Sequence, residues 1–163
     1  MSQSRDLISS PWLISVTLCV LAFALRGQIA NDAFWLDEIW SYYLSQVMQG
    51  PSDAFRELRI DNNHLLNTLL LYWFGEQANW SLYRLPAVLS GVATVALMGP
   101  AARLLAAKPW LAMVLAAISL PLIQYSAEAR GYSSAGLFGL AAWYICYARL
   151  AHRISPGWLL AFW

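Results

Sequence analysis

The chain has 163 residues, 60% of them hydrophobic and only 12% charged, against about 45–50% apolar and about 25% charged in a typical soluble domain. That excludes disorder; two cysteines exclude a disulfide scaffold, and a net charge of +1 excludes the basic field that nucleic acid requires. A mean hydropathy of +0.50 and nine tryptophans point to a bilayer, hence to an all-α, polytopic membrane protein.

The first apolar run is Pro11 to Leu25, closed by Arg26 and preceded by Arg5. A signal peptide shares that order, but Arg26 and Gln28 follow with no small-x-small cleavage site, so the run reads as an uncleaved first span. From Asn31 to Arg84 the chain carries Asp32, Asp37, Glu38, Asp53, Arg56, Glu57, Arg59 and Asp61 and cannot lie in hydrocarbon. Within it, Leu36, Ile39, Trp40, Tyr43, Leu44, Val47 and Met48 recur at a helical period, and Gly50-Pro51 closes them. This predicts an amphipathic helix along the interface. Leu65–Gly75 is about 11 residues, less than the ~20 a span needs, and reads as a re-entrant or interfacial helix, with a tilted span reaching Trp80 as the alternative. Further spans are predicted at Leu85–Ala107, Trp110–Tyr125 and Tyr132–Leu150. A fifth run opens at Trp158, so the sequence ends as though inside a membrane helix. The expectation is one membrane domain over 1–163 with about four complete spans, and residues 31–84 as an outer loop with interfacial helices.

Eight of the nine acids lie in Asn31–Arg84 and Ser126–Gly131, whereas the connections Arg103–Lys108 and Arg149–Arg153 carry only positive charge. Positive short loops stay cytoplasmic, which puts the N-terminus inside and the two acidic segments outside. If Leu65–Gly75 does not span, those segments share one face and their ionisable groups can share a site.

Asp37-Glu38, beside Phe34-Trp35-Leu36, are costly to desolvate at a membrane edge. They read as a general base, a metal ligand or both, or as solvated acids favoured at a helix N-terminus; spacing alone favours the latter. Asp61-Asn62-Asn63-His64 fits a metal or sugar site, or more simply a turn and N-cap. Arg84 reads as a snorkelling interfacial arginine or as a phosphate clamp. Glu128-Ala129-Arg130, wedged between two apolar runs, is the most informative, since ionisable groups at the membrane are functional candidates by default. Cys19 and Cys146 read as buried thiols, and Gly131, Gly136 and Gly139 as helix-packing positions.

Four motifs in order give a resemblance. Phe34-Trp35-Leu36-Asp37-Glu38 follows a first span. His64-Leu65-Leu66 stands where a His-Pro-Pro motif is common, without the prolines. Arg84-Leu85-Pro86 opens the next span, and Ser126-Ala127-Glu128-Ala129-Arg130-Gly131-Tyr132 follows the next hairpin. Together they resemble the amino-terminal part of GT-C type membrane glycosyltransferases, nearest the protein O-mannosyltransferases, the aminoarabinose transferases and the bacterial lipopolysaccharide glycosyltransferases. The chain matches about the first third of such enzymes, a truncated GT-C-like bundle that the resemblance leaves inactive alone.

The resemblance implies an inverting, single-displacement transfer of sugar from a polyprenyl-phosphate donor to a lipid, glycan or protein acceptor, on the outer face of a bacterial-type inner membrane. It makes Asp37 the base and gives Glu38 the role of orienting Asp37 or the acceptor. Arg130 and Arg84 become phosphate ligands, Glu128 a brace for Arg130 or a metal ligand, and His64 and Tyr132 substrate-binding. No cofactor beyond a divalent metal is implied, and the partners are the sugar donor, the acceptor and membrane lipids. Two other classes compete: a truncated or degenerate non-enzymatic membrane protein that binds lipid or a partner, and a transporter fragment. Against the latter, the charges fall outside the apolar runs.

Overall fold

A computed structural model describes residues 11–56, 64–77 and 79–150. Asp61, Asn62, Asn63 and the run from Trp158 lie outside the described residues. Every described element is a helix: α1 Pro11–Ile29, α2 Leu36–Gln46, α3 Asp53–Arg56, α4 Leu65–Phe74, α5 Ser81–Leu104, α6 Pro109–Ile118, α7 Leu120–Ser126 and α8 Tyr132–Leu150.

Helix α5 is the hub, packed against α1, α6, α7 and α8, while α2 lies against α4. Ala22, Val95, Met113, Ala116 and Ala117 form the main core, with Leu18, Cys19, Val92 and Met98 around it. Small side chains dominate this core because helices in lipid associate by close backbone approach. Helix α1 turns most of itself outward: 11% of its most apolar window is buried, and Trp12, Val16, Val20 and Leu21 are exposed. In water that surface would be unfavourable by about 25 cal/mol per Å²; in lipid it is the expected face.

By length and composition two helices can cross a membrane, α1 and α5, or three if α6 and α7 form one bent span. The four expected spans are therefore met in part. The third run breaks at Ser119, where α6 and α7 meet at 63°. Pro121 is the cause: it has no N–H for the Ala117 carbonyl, and its ring crowds the preceding turn. The fourth run does form a 19-residue helix, α8, but Tyr132, Ser133, Ser134, Tyr144, Tyr147 and Arg149 leave it less apolar than α1 and α5 by the same measure. Helix α5 starts a turn before the expected Leu85, which draws Arg84 into its first turn.

The break at Ser119 has a second consequence. The freed carbonyls of Ala116 and Ala117 accept hydrogen bonds from Arg26 Nη2 and Nη1 at 3.2 and 3.3 Å. Nη1 also donates to the Ala22 carbonyl at 3.2 Å. Arg26, expected only to close the first span, is a fully buried residue one turn inside α1.

Helix α2 has its amphipathic face reversed relative to a soluble helix. Leu36, Ile39, Trp40 and Tyr43 are exposed, whereas Glu38, Ser41 and Ser45 are buried beside Leu44. Apolar out and polar in is the pattern of a helix that lies in the membrane surface and keeps its polar groups for the protein. Helix α4 is ten residues, about 15 Å at 1.5 Å per residue, half the ~30 Å hydrocarbon thickness. It ends at Gly75, whose φ of +59° suits a residue without Cβ.

Of the glycines expected to pack helices, Gly136 and Gly139 face open space, with nothing within 4 Å of an added Cβ. The tight positions are Gly91, against Ser126 and Arg26, Gly131, against His64, and, less severely, Gly99, against Met113.

Candidate functional site

The site is built on one buried carboxylate. Glu38, at the third position of α2, accepts the Trp35 backbone N–H at 2.9 Å on Oε2, the acidic half of a capping box. Fully buried, it also meets Arg84 bidentately: Arg84 Nε donates to Oε1 at 2.8 Å and Nη2 to Oε2 at 2.6 Å. Oε1 accepts the Ala129 N–H at 2.6 Å as well. Arg84 uses its remaining donors on the carbonyls of Ala30, Asp32 and Ala33, at 3.1, 2.6 and 2.9 Å. Its guanidinium stacks 5.0 Å from the Phe34 ring centre.

This corrects the expectation for Arg84. A guanidinium has five N–H donors, and all five are engaged here in a residue 1% exposed. It neither snorkels nor has a donor left for phosphate; it fastens the chain after α1 to α2 and α5. Glu38, too, is a brace under the site.

Ala129 is the other anchor. Its N–H is held by Glu38, and its carbonyl accepts from Asn67 Nδ2 of α4 at 2.8 Å. With that peptide clamped and Ala129 buried, Glu128 and Arg130 are held on either side of it. Both line a cavity of about 360 Å³ together with Asp37, Gln124, Tyr125 and Tyr132. Within it Arg130 Nη1 donates to Asp37 Oδ2 at 2.8 Å. Arg130 is 13% exposed and Asp37 61%. Asp37 thus pairs directly with Arg130, whose charge also acts on Glu128, and Arg130 lies 4.6 Å from the centre of the Tyr132 ring. The contact also puts the first loop and the Glu128 loop at the same end of the bundle, as the short α4 requires.

Electrostatics separate the acids. Burial, with the Glu38 charge added, raises the Glu128 carboxyl above its ordinary 4.5, against the opposing pull of Arg130 and a Gln124 hydrogen bond. His64 packs edge-on against Tyr132, ring centres 4.7 Å apart. Its Nε2 is buried without a hydrogen-bond partner among the described residues. Burial, and then the Arg130 charge, lower its pKa below 6.5.

His64 therefore stays neutral in the folded protein at a pH where the unfolded chain binds a proton. Stability is full above 6.5 and falls as pH drops through 6.5 towards the lower folded value. In detergent melts from pH 7.5 to 5.5, His64→Phe, which keeps a ring against Tyr132, is expected to lose less stability on acidification than the wild type. Equal losses would show that His64 carries none of the dependence.

The structure thus brings Asp37, Glu128, Arg130 and Tyr132 to one cavity, sets His64 behind Tyr132, and puts Glu38 and Arg84 underneath. Asn67, Gln124, Tyr125 and the Ala129 peptide are the residues that the sequence did not single out. Asn67 had one signal, an amide that, with Thr68 beside it, interrupts the leucines of the Leu65–Leu71 run. Among the described residues no three His, Cys, Asp or Glu side chains cluster as a metal site. No family model, curated protein or solved structure matches the chain.

Proposed function

We propose that this chain forms the outer-face reaction end of a membrane glycosyltransferase that uses a polyprenyl-phosphate sugar. The observation that supports it is the Asp37–Arg130 pair in a membrane-edge cavity, with a carboxylate 61% exposed and a guanidinium 13% exposed. Transfer with inversion needs one base for the acceptor hydroxyl and one cation for the departing phosphate. Asp37 takes the acceptor proton as that oxygen bonds to the anomeric carbon, and the bond to phosphate breaks with its electrons going to the phosphate oxygen. Arg130 stabilises that charge. Before the donor arrives Asp37 is held by Arg130; the donor phosphate competes for the guanidinium and releases the carboxylate. Glu128 and Tyr132 line the remaining wall and contact sugar or acceptor, and His64 supports Tyr132.

In this reading α1, α5, the bent α6–α7 pair and α8 all cross a bacterial-type inner membrane, forming part of a GT-C-like bundle. The N-terminus and the Arg103–Lys108 connection are cytoplasmic. The reversed face of α2 holds the cavity at the depth of lipid phosphates.

The test is transfer from a radiolabelled polyprenyl-phosphate sugar to a membrane-impermeant acceptor, in right-side-out vesicles carrying the natural gene product. Arg130→Ala is expected to raise the donor KM by roughly 10- to 100-fold, the worth of a hydrogen bond to a charged group, and to leave the acceptor KM nearly unchanged. An unaltered donor KM would remove Arg130 from the phosphate role, and the absence of any transfer would overturn the reading.

A further inference from the structure

A second cavity, of about 470 Å³, has Asn31, Asp32, Phe34, Ile39, Asn79 and Trp80 among its walls and shares no residue with the cavity of Asp37 and Arg130. Its volume is in the range of about 300–1,000 Å³ usual for small-molecule sites. Asp32 and Asp37 lie on the short segment that joins α1 to the first turn of α2, so both cavities open at the same end of the bundle.

The walls are fixed by bonds that leave polar groups to spare. Arg84 holds the carbonyls of Ala30, Asp32 and Ala33, which clamps the backbone that carries Asp32. The Asp32 carboxylate itself is exposed and takes part in neither ion pair found among the described residues. Asn79 Oδ1 accepts the Ser81 N–H at 3.0 Å, which orients the amide and leaves both Nδ2 hydrogens to give. Asn31 Oδ1 accepts from Ser81 Oγ at 2.8 Å, and its Nδ2 spends one hydrogen on the Gly27 carbonyl at 3.0 Å and keeps the other. Trp80, 49% exposed, is held edge-on against Phe34 with ring centres 4.6 Å apart.

Charge selects the class of ligand. One acid and, among the described residues, no basic side chain line the cavity, which disfavours any anion, a donor phosphate included. A cation is disfavoured from behind, where the Arg84 guanidinium lies 5.0 Å from the Phe34 ring centre and on the Asp32 and Ala33 carbonyls. What fits is a neutral ligand rich in hydroxyls. A hydroxyl both donates and accepts. Neighbouring hydroxyls of one sugar ring can therefore give a proton to the Asp32 carboxylate and accept one from the Asn79 or Asn31 amide. The apolar C–H face of that ring then lies on the Trp80 indole.

We propose that this cavity binds a neutral glycan, with Asp32, Asn79 and Asn31 as its hydrogen-bonding groups and Trp80 as its apolar platform. The proposal rests on this cavity and not on sugar transfer. Glycan binding without transfer would sustain it while the transferase reading failed. Only the further step, that the bound glycan is the acceptor, rests on transfer in the neighbouring cavity.

The experiment is saturation-transfer NMR on the purified full chain in a sugar-free polyoxyethylene detergent. Irradiation falls on aromatic protons, which neither the detergent nor the sugars possess. The probes are maltose, lactose, cellobiose and mannobiose, with glycerol and ethanolamine as controls. At least one disaccharide is expected to take up saturation, with a dissociation constant of about 1 mM or tighter, and the controls are not. Asp32→Ala, at an exposed position, is expected to weaken that binding by about 10- to 100-fold, the worth of a hydrogen bond to a charged group. Asn79→Asp keeps an oxygen for the Ser81 N–H but loses both amide donors, and is expected to weaken it by at least about fivefold. Arg130→Ala is expected to bind like the wild type, and detergent melts confirm that each variant is folded. The proposal is overturned if no disaccharide takes up saturation, or if a folded Asp32→Ala binds like the wild type. It is also overturned if binding is lost in Arg130→Ala and kept in Asp32→Ala, or if ethanolamine binds and Asn79→Asp tightens it, the mark of an amine site.

Discussion

Glu38→Ala is expected to destabilise the chain by about 3–5 kcal/mol, the cost of removing one partner from a buried ion pair. The carboxylate is 0% exposed and receives four donors: Arg84 Nε and Nη2, the Trp35 N–H and the Ala129 N–H. Removing it leaves the Arg84 cation without a counter-charge in a site 1% exposed, and leaves the Ala129 amide unsatisfied. The penalty comes from what remains buried, more than from the bonds lost. A double variant separates the two. Glu38→Ala with Arg84→Met removes both charges, and it is expected to cost less than the sum of the single changes by roughly 0.5–3 kcal/mol, the usual range for coupled neighbours. Chemical unfolding in detergent measures all three variants. A single-variant cost near that of a surface change, within about 0.5 kcal/mol, would mean that the pair is solvated and does not hold the site together.

That pair also marks how far the sequence could be read. Residue type drew attention to Asp37, Glu38, Arg84, Glu128 and Arg130, because ionisable groups beside apolar runs are unusual in any membrane chain, but spacing alone favoured solvated acids for Asp37 and Glu38, and only the resemblance gave these residues roles. None of these could say who pairs with whom. Glu38 and Arg84 are 46 positions apart and Asp37 and Arg130 are 93 apart, and only tertiary packing sets such partners. Periodicity located α2 within two residues of its end, but not which face turns inward: the same heptad-like spacing serves a core or a lipid surface, and the buried Ser41 and Ser45 decide it. The break at Ser119 was written in Pro121, yet an apolar run of sixteen residues from Trp110 to Tyr125 outweighs one proline in any window of hydropathy. Arg26 was read as punctuation after a span, because nothing in a linear sequence shows that two carbonyls 90 and 91 residues away lie open to it.

Under the proposed transferase reading, Asp37→Asn is expected to reduce sugar transfer by about 10²- to 10⁴-fold, the range general base catalysis supplies, while stability changes by less than about 1 kcal/mol, as for an exposed ion pair. The contrast with its neighbour follows from helix geometry. Successive residues on α2 are rotated by about 100°, so Glu38 turns into the protein and Asp37 into the cavity. The asparagine keeps a carbonyl oxygen for Arg130 Nη1, which leaves the wall of the cavity in place. What it cannot do is accept a proton. Rate and stability therefore come apart along two adjacent residues: loss at 37 falls on transfer and loss at 38 falls on folding. Transfer measured alongside detergent melts reads both. Near wild-type transfer by a folded Asp37→Asn protein would leave Asp37 as a partner for Arg130 and nothing more. The base would then have to be sought at Glu128, the other carboxylate on that cavity, whose raised pKa already favours proton uptake.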